Sequence, residues 1–343
     1  MTAPRNYRAA QIAAIRAAKK AARDLAIEDV SWVDAFDAVI RAGAFLVFQP
    51  LKSLFGVYLP QFPGGGAPGV MINVNHPLNL QRYTAAHELG HLRMGHATSL
   101  DTAQEILGTA EARSFVRRSL TEIAAEVFAA HLLMPVSRVL PRMSALGLAQ
   151  RDLRSPRNVY SLSLWFGVSY RAMVRQLIAI KQLQPSAAAA LLSTQPKTIK
   201  QAVLGEGALD DWHADVWPLT TRESGEVVHA RVGDELSITL PNHSAGGYLW
   251  EPGGADQEAF DVLAIDDVVD GAAHHASEYV GSSPVRRARI RIKEPGQHGL
   301  SMAERRPWQP DSPAAAEFRM TVVGMVQPQT GAAEQLRRRL ISG

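Results

Sequence analysis

The sequence contains no cysteine. That absence excludes a disulfide-stapled scaffold, a thiolate zinc finger, an iron–sulfur cluster and a cysteine nucleophile. It suits a reducing cytoplasm, which is the expected location. No apolar run approaches the ~18 residues that a membrane-spanning helix needs, so neither a transmembrane helix nor a membrane partner is expected. The N-terminal stretch MTAPRNYRAAQIAAIRAAKKAARDLAIEDV is basic and helical in pattern. It lacks the apolar core and cleavage site of a secretory signal. Charge of one sign is also scarce: a net +3 over 343 residues removes any global electrostatic argument for nucleic-acid binding.

What is present points to a folded, multi-domain chain. Hydrophobic residues make up 46% and charged residues 20%, enough apolar content for a core and too little charge for wholesale disorder. A length of 343 residues suggests two or three domains. The charge is unevenly spread. Residues 136–202 carry ten Arg and Lys against one acid, Asp152, whereas acids such as Asp210, Asp211, Asp215, Asp234 and Glu235 prevail over 206–270. Such a shift marks a boundary.

Periodicity separates the two halves further. Helices are expected over 8–23, 31–43, 79–94 and 119–134, with Asn79 as an N-cap and Gly95 as a stop. The short apolar runs Ala44–Phe48, Phe55–Leu59 and Val70–Val74, bounded by Pro and Gly, read as strands. Helical patterns continue to about residue 205. From 227 to 326 come seven short, often alternating segments separated by Gly, Pro, Asn and Asp, the pattern of an all-β sandwich or barrel. The tail TGAAEQLRRRLISG reads as a short helix or a frayed end.

The sharpest motif is His87-Glu88-Leu89-Gly90-His91. Residues four apart share a helical face, so both imidazoles can reach one ion while Glu88 holds a water beside it. A third ligand is still required. The metzincin histidine pattern is absent, since Met94 stands at its glycine position and His96 is one residue short of its third histidine. On the segment TEIAAEVFAAHLLMP, Glu122 and Glu126 fall on one helical face. Glu122 can bind the ion, and Glu126 can accept the far ring N–H of a ligating histidine or compete as a ligand. Zinc suits this His₂Glu set, and manganese or iron(II) fits it too. Glu88 is then the general base for peptide hydrolysis. Tyr83, His96, His131 and Tyr170 are candidate oxyanion donors, with packing the alternative for each. Val70–Val74 is the expected edge along which a substrate would lie.

These motifs carry a resemblance. RYTAAHELGHLRMGH followed by TEIAAEVFAAHLLMP, with FGVYLP, GVMINVN and SLWFGVSYRAMVRQL around them, is similar to the ImmA/IrrE family of bacterial metallopeptidases over roughly residues 10–185. The resemblance implies an α+β zincin-like metallopeptidase domain. It also implies His87, His91 and Glu122 as metal ligands, Glu88 as the catalytic carboxylate, and a regulatory protein as substrate. A helix-turn-helix transcriptional repressor cleaved in a stress response is the case in view. The sequence departs from the family at Glu126, where Asn is usual.

Two helices around Gly167-Val168-Ser169 resemble a helix-turn-helix. The competing reading is a helical extension packed on the peptidase domain. No aromatic or Asn/Gln-rich recognition face is evident, so DNA is not the expected partner.

In the β region, LPNHSAGGYLW and RRPW place Gly247, Tyr248, Trp250, Arg306, Pro307 and Trp308 around two loops, with Gly281 in a further loop, VGSSP. Rigid loops bearing aromatic residues suit a protein cleft, while Trp250 reads as core. The segment 220–326 is similar to the chagasin-like inhibitors of papain-type cysteine peptidases. That resemblance implies an immunoglobulin-like sandwich and a papain-like peptidase as partner. His243, Ser244, Ala245 and Gly246 depart from the family's Asn-Pro-Thr-Thr. The expected layout is a metallopeptidase domain over 1–150, a helix-turn-helix-like extension and linker over 151–216, the sandwich over 217–327 and a tail over 328–343. In the rival reading the chain is chiefly a cysteine-peptidase inhibitor or adaptor with a structural or idle metal site.

Overall fold

The computed structural model describes residues 5–61, 66–97, 99–102, 119–205, 207–253, 256–268, 285–309 and 312–330. The chain divides into two compact units that do not follow its linear order. One comprises residues 1–142, 166–182 and 327–343, the other residues 143–165 and 183–326.

Among the described residues, the first unit is helix-rich with one small sheet. Helix α1 (Arg5–Asp24) buries Ala14, Ala18 and Ala21 at helical spacing, with Leu25 just beyond its end. Helix α2 (Ala35–Arg41) starts at Asp34, whose carboxylate accepts from the backbone of Phe36 and Asp37 at 2.9 and 3.1 Å. Strands β1 (Phe45–Gln49), β2 (Leu54–Leu59), β3 (Gly69–Asn73) and β4 (Ser99–Thr102) form a sheet of order β1-β3-β2-β4. β1 and β3 run parallel, and the other pairs are antiparallel. The strand over 70–74 is therefore not the sheet edge that its sequence suggested. β3 lies between β1 and β2 with four of its five residues buried, and the edges are β1 and β4. An apolar run covered on both faces belongs inside a sheet.

Helix α3 (Leu78–Met94) follows β3. Its N-cap position is Pro77, not Asn79, and the amides of Leu80 and Gln81 donate to the Pro77 carbonyl. It ends at Gly95 in the left-handed conformation. Helix α4 (Leu120–Leu133) packs against α1 and α3 and buries Ala124, Ala125, Phe128, Ala129 and Leu132. α5 (Val136–Ala145) runs on into the second unit. Helix α7 (Tyr170–Ala179) is capped by Ser169, whose hydroxyl accepts from Ala172. Gln176 of α7 donates to the Met134 carbonyl at 2.8 Å, and Arg175 lies 3.9 Å from the Glu126 carboxylate. Among the described residues no single helix is long and apolar enough to cross a membrane.

The second unit contains α6 (Pro156–Phe166, except its last residue), α8 (Pro185–Ser193) and α9 (Pro196–Leu204), the latter two opened by proline in the first turn. Among the described residues, eight strands follow in two four-stranded sheets. β5 (Val216–Leu219), β7 (Glu235–Pro241), β10 (Val285–Ile292) and β9 (Phe260–Val268) form one sheet in that order. β6 (Val227–Arg231), β12 (Ala316–Met325), β11 (Gly296–Arg305) and β8 (Leu249–Gly253) form the other. Buried apolar residues include Leu236, Ile238, Ala288 and Ile290 in the first sheet and Val228, Phe318, Met320 and Val322 in the second; burial alternates along β6, β10 and β12, while β7 is buried continuously from Glu235 to Ile238.

A buried polar cluster ties the helices of this unit to its strands. The Tyr160 hydroxyl donates to Asp215 at 3.0 Å and accepts from the Val216 amide. Lys200 Nζ reaches Asp215 at 3.1 Å and the carbonyl of Ala214 at 2.7 Å. Asp234 accepts from the amides of Asp215 and Arg231.

Candidate functional site

Helix α3 is buried from Thr84 to His91. Two close approaches hold it there. Gly56 of β2 faces Thr84 and Glu88 so tightly that no side chain fits between strand and helix. The Phe128 ring of α4 packs against Gly90. With no side chain at either glycine, α3 settles between the sheet and α4.

That crossing brings Glu122, in the first turn of α4, to the histidines of α3. Ser119 caps α4 by accepting from the Glu122 amide at 3.1 Å. The exposed amides of a helix N-terminus favour a carboxylate at this position. His87 Nε2 lies 3.2 Å from Glu122 Oε2 and 3.1 Å from His91 Nε2, while His91 Nε2 lies 3.5 Å from Glu122 Oε2. A tetrahedral ion with bonds of about 2.0–2.1 Å separates its ligand atoms by about 3.3 Å. The three separations match that edge length, so the donor set fits a divalent cation. Glu88, fully buried, sits on the same helix between the two histidines.

Around this triangle the other predicted residues fall as follows. The Glu126 carboxylate lies near Arg175, and its backbone carbonyl accepts from the Tyr83 hydroxyl at 3.4 Å. His131 donates through Nδ1 to the Val127 carbonyl of its own helix at 2.9 Å, and burial lowers its pKa. Tyr170 is buried, which pushes its hydroxyl up to about 12. His96 stands behind His91, with the two Nδ1 atoms 3.0 Å apart, so it faces the ring nitrogen opposite the triangle. Burial first, then the neighbouring His91, hold the His96 imidazole below its ordinary pKa.

Sequence reasoning passed over Arg82. Its guanidinium is wholly buried and donates to the carbonyls of Val33 at 2.6 Å, Phe166 at 3.3 Å and Gly167. It also stacks 3.7 Å above the Trp32 ring. Burial lowers its pKa to about 9, so it stays charged at neutral pH. It fixes α3 one turn before His87. Arginine in a basic chain is common, and nothing in its spacing marked it.

The second unit gathers the predicted loop residues. The Trp308 ring lies where a side chain on Gly247 would stand, and the Arg306 guanidinium lies 4.7 Å above the Tyr248 ring. Trp308 is 65% exposed. Trp250 is buried and donates to the Pro241 carbonyl at 2.7 Å, a core role. Gly281 lies outside the described residues. A contact missed in the sequence joins the loops: the carboxylate of Glu304, almost fully buried, meets His243 Nδ1 at 2.9 Å and accepts from its amide at 3.2 Å.

Comparison with known proteins agrees with the resemblance read from the sequence. Residues 42–177 match the model of the IrrE N-terminal-like domain, a peptidase family, and residues 229–322 match the Chagasin family peptidase inhibitor I42. Among solved structures, the cysteine protease inhibitor EhICP2 from Entamoeba histolytica matches at 16% identity and a TM-score of 0.27, over 33% of this chain and 95% of its own. The solution structure of Amebosin matches at 21% identity and a TM-score of 0.25, over 33% and 98%. No curated protein matches the chain.

Proposed function

We propose that the N-terminal unit is a zinc-dependent endopeptidase of zincin-like design acting on a protein substrate. The observation that carries this reading is the triangle of His87, His91 and Glu122, whose donor atoms stand 3.1–3.5 Å apart. When bound there, zinc supplies Lewis acidity towards a water and a peptide carbonyl. Glu88 orients the attacking water, takes its proton and returns it to the leaving amine. Glu126 steadies the ligand shell in this proposal. Manganese or iron(II) is the alternative metal. A helix-turn-helix repressor cleaved in a cytoplasmic stress response is the substrate class that the family resemblance suggests. Elemental analysis tests the site: wild type should carry zinc and Glu122→Ala should lose most of it. Glu88→Gln should keep the metal and lose peptidase activity, and an active Glu88→Gln enzyme would sink the reading.

A second reading concerns the β unit. The stacking of Arg306 on Tyr248 and of Trp308 against Gly247 supports a protein-binding edge that inhibits a papain-like cysteine peptidase. In its strong form the whole chain is an inhibitor or adaptor and its metal site is idle. Inhibition of papain by the full chain, lost in Trp308→Ala, is the expected result. No inhibition by wild type at high micromolar concentration would remove it.

A further inference from the structure

His96 lies beyond the end of α3 and is not one of the three ligand residues. The left-handed turn at Gly95 folds the chain back, and the His96 amide donates to the His91 carbonyl at 3.0 Å. This places the His96 ring edge-on to that of His91, with centroids 4.9 Å apart at 72°. The Tyr58 ring of β2 lies nearly parallel to His91, with centroids 6.4 Å apart. His91 is therefore held from several sides, and its two nitrogens face different partners. Nε2 meets His87 and Glu122, and Nδ1 meets His96 Nδ1 at 3.0 Å.

Two facing ring nitrogens at that distance share one proton. If His96 donates it, His91 carries its own hydrogen on Nε2, inside the ligand triangle, and a cation must displace that hydrogen to bind. If His91 donates, its Nε2 lone pair is free. We propose that His96 is the positioning residue of the metal site: its Nδ1 accepts from His91 Nδ1 and selects the tautomer and ring orientation that bind a divalent cation. A partner on the far ring nitrogen also makes the ligating nitrogen more basic. This inference rests on the metal-site reading above.

The test uses the metal alone. Full-length protein is stripped with chelator, and its zinc affinity is measured by competition with a chromophoric chelator, with the cobalt(II) absorption spectrum as a second readout. His96→Ala and His96→Phe, which both lack the acceptor while Phe keeps the bulk, should bind zinc about 10–100-fold more weakly. His96→Asn, whose Oδ1 stands near the place of Nδ1, should restore affinity and the wild-type cobalt spectrum. Thermal melting of the metal-free forms checks that each variant folds. Ala and Phe variants that bind zinc as tightly as wild type would overturn the proposal, as would an Asn variant as weak as Ala. A wild type that takes up neither metal would instead overturn the metal-site reading, and this proposal with it.

Discussion

Glu88 Oε1 stands 2.9 Å from the point that a Cβ on Gly56 would occupy. Strand β2 thus sets the position of the proposed general base, while the ligand triangle lies between α3 and α4. Gly56→Ala should push Glu88 and Thr84 aside at an overpacking cost of about 1–3 kcal/mol. Activity should fall about 10–100-fold, since about 1.4 kcal/mol is tenfold in rate, with metal content unchanged. Parallel peptidase assays and elemental analysis check this split; loss of metal with activity would refute it.

Metal should stabilise the first unit. A ligand at about 1,000 times its dissociation constant adds about 4 kcal/mol to the stability of the state that binds it. Chelation should therefore lower the melting temperature of this unit, and added zinc should restore it. In His87→Ala the difference between chelated and zinc-supplied protein should vanish. Calorimetry with and without chelator measures both.

Arg82 offers a stability test away from the chemistry. Arg82→Ala leaves the carbonyls of Val33, Phe166 and Gly167 without their shared donor and opens a void over Trp32. The expected loss is about 3–5 kcal/mol, from buried carbonyls left unpaired and the cavity left by a large side chain. Arg82→Lys should recover only part of it, because a compact ammonium cannot span three carbonyls. Denaturant midpoints give the ranking, and a neutral Arg82→Ala would contradict the contacts.

The second unit should gain stability on mild acidification. Burial first, then the charge of Asp215, raises the Asp234 carboxyl from 3.8 to about 7. In the unfolded chain it titrates near its ordinary value, so the folded unit holds an extra proton between about pH 4 and 7. Its contribution is fully present below about 4 and is lost as pH rises through about 7. A shift of this size corresponds to at most about 4 kcal/mol. Burial raises Glu223 as well, in the same direction. The melting temperature of this unit should rise by several degrees from pH 8 to 5.5. Asp234→Asn should be less stable at pH 5.5, having lost one acceptor for a backbone amide, and should show a flatter pH dependence. An unchanged slope would rule Asp234 out as its source.

Much of this was legible locally. The spacing of His87 and His91 needs only a helix to bring both rings to one side. Gly95 ended its helix, because such a position is decided by backbone groups a few residues away. Errors arose where a neighbour distant in sequence decides. One miss was instead local: the helix starts earlier than an Asn79 cap implies, with Pro77 at the cap position. The strand over 70–74 proved interior because β1 and β2 cover it on both sides. Strands β4 and β5 escaped notice, being only four residues each.

By itself the sequence determined the helix that carries HExxH, the all-β character of residues 227–326 and the residues available as ligands. Each follows from periodicity or spacing along a few turns of chain. Tertiary structure alone decided that Glu122 reaches the two histidines, that Gly56 and Phe128 set the depth of the helix, and that Arg82, His96 and Glu304 lock their neighbours. Those facts depend on how close two separate elements can approach, and that distance is set by packing against parts of the chain far away in sequence.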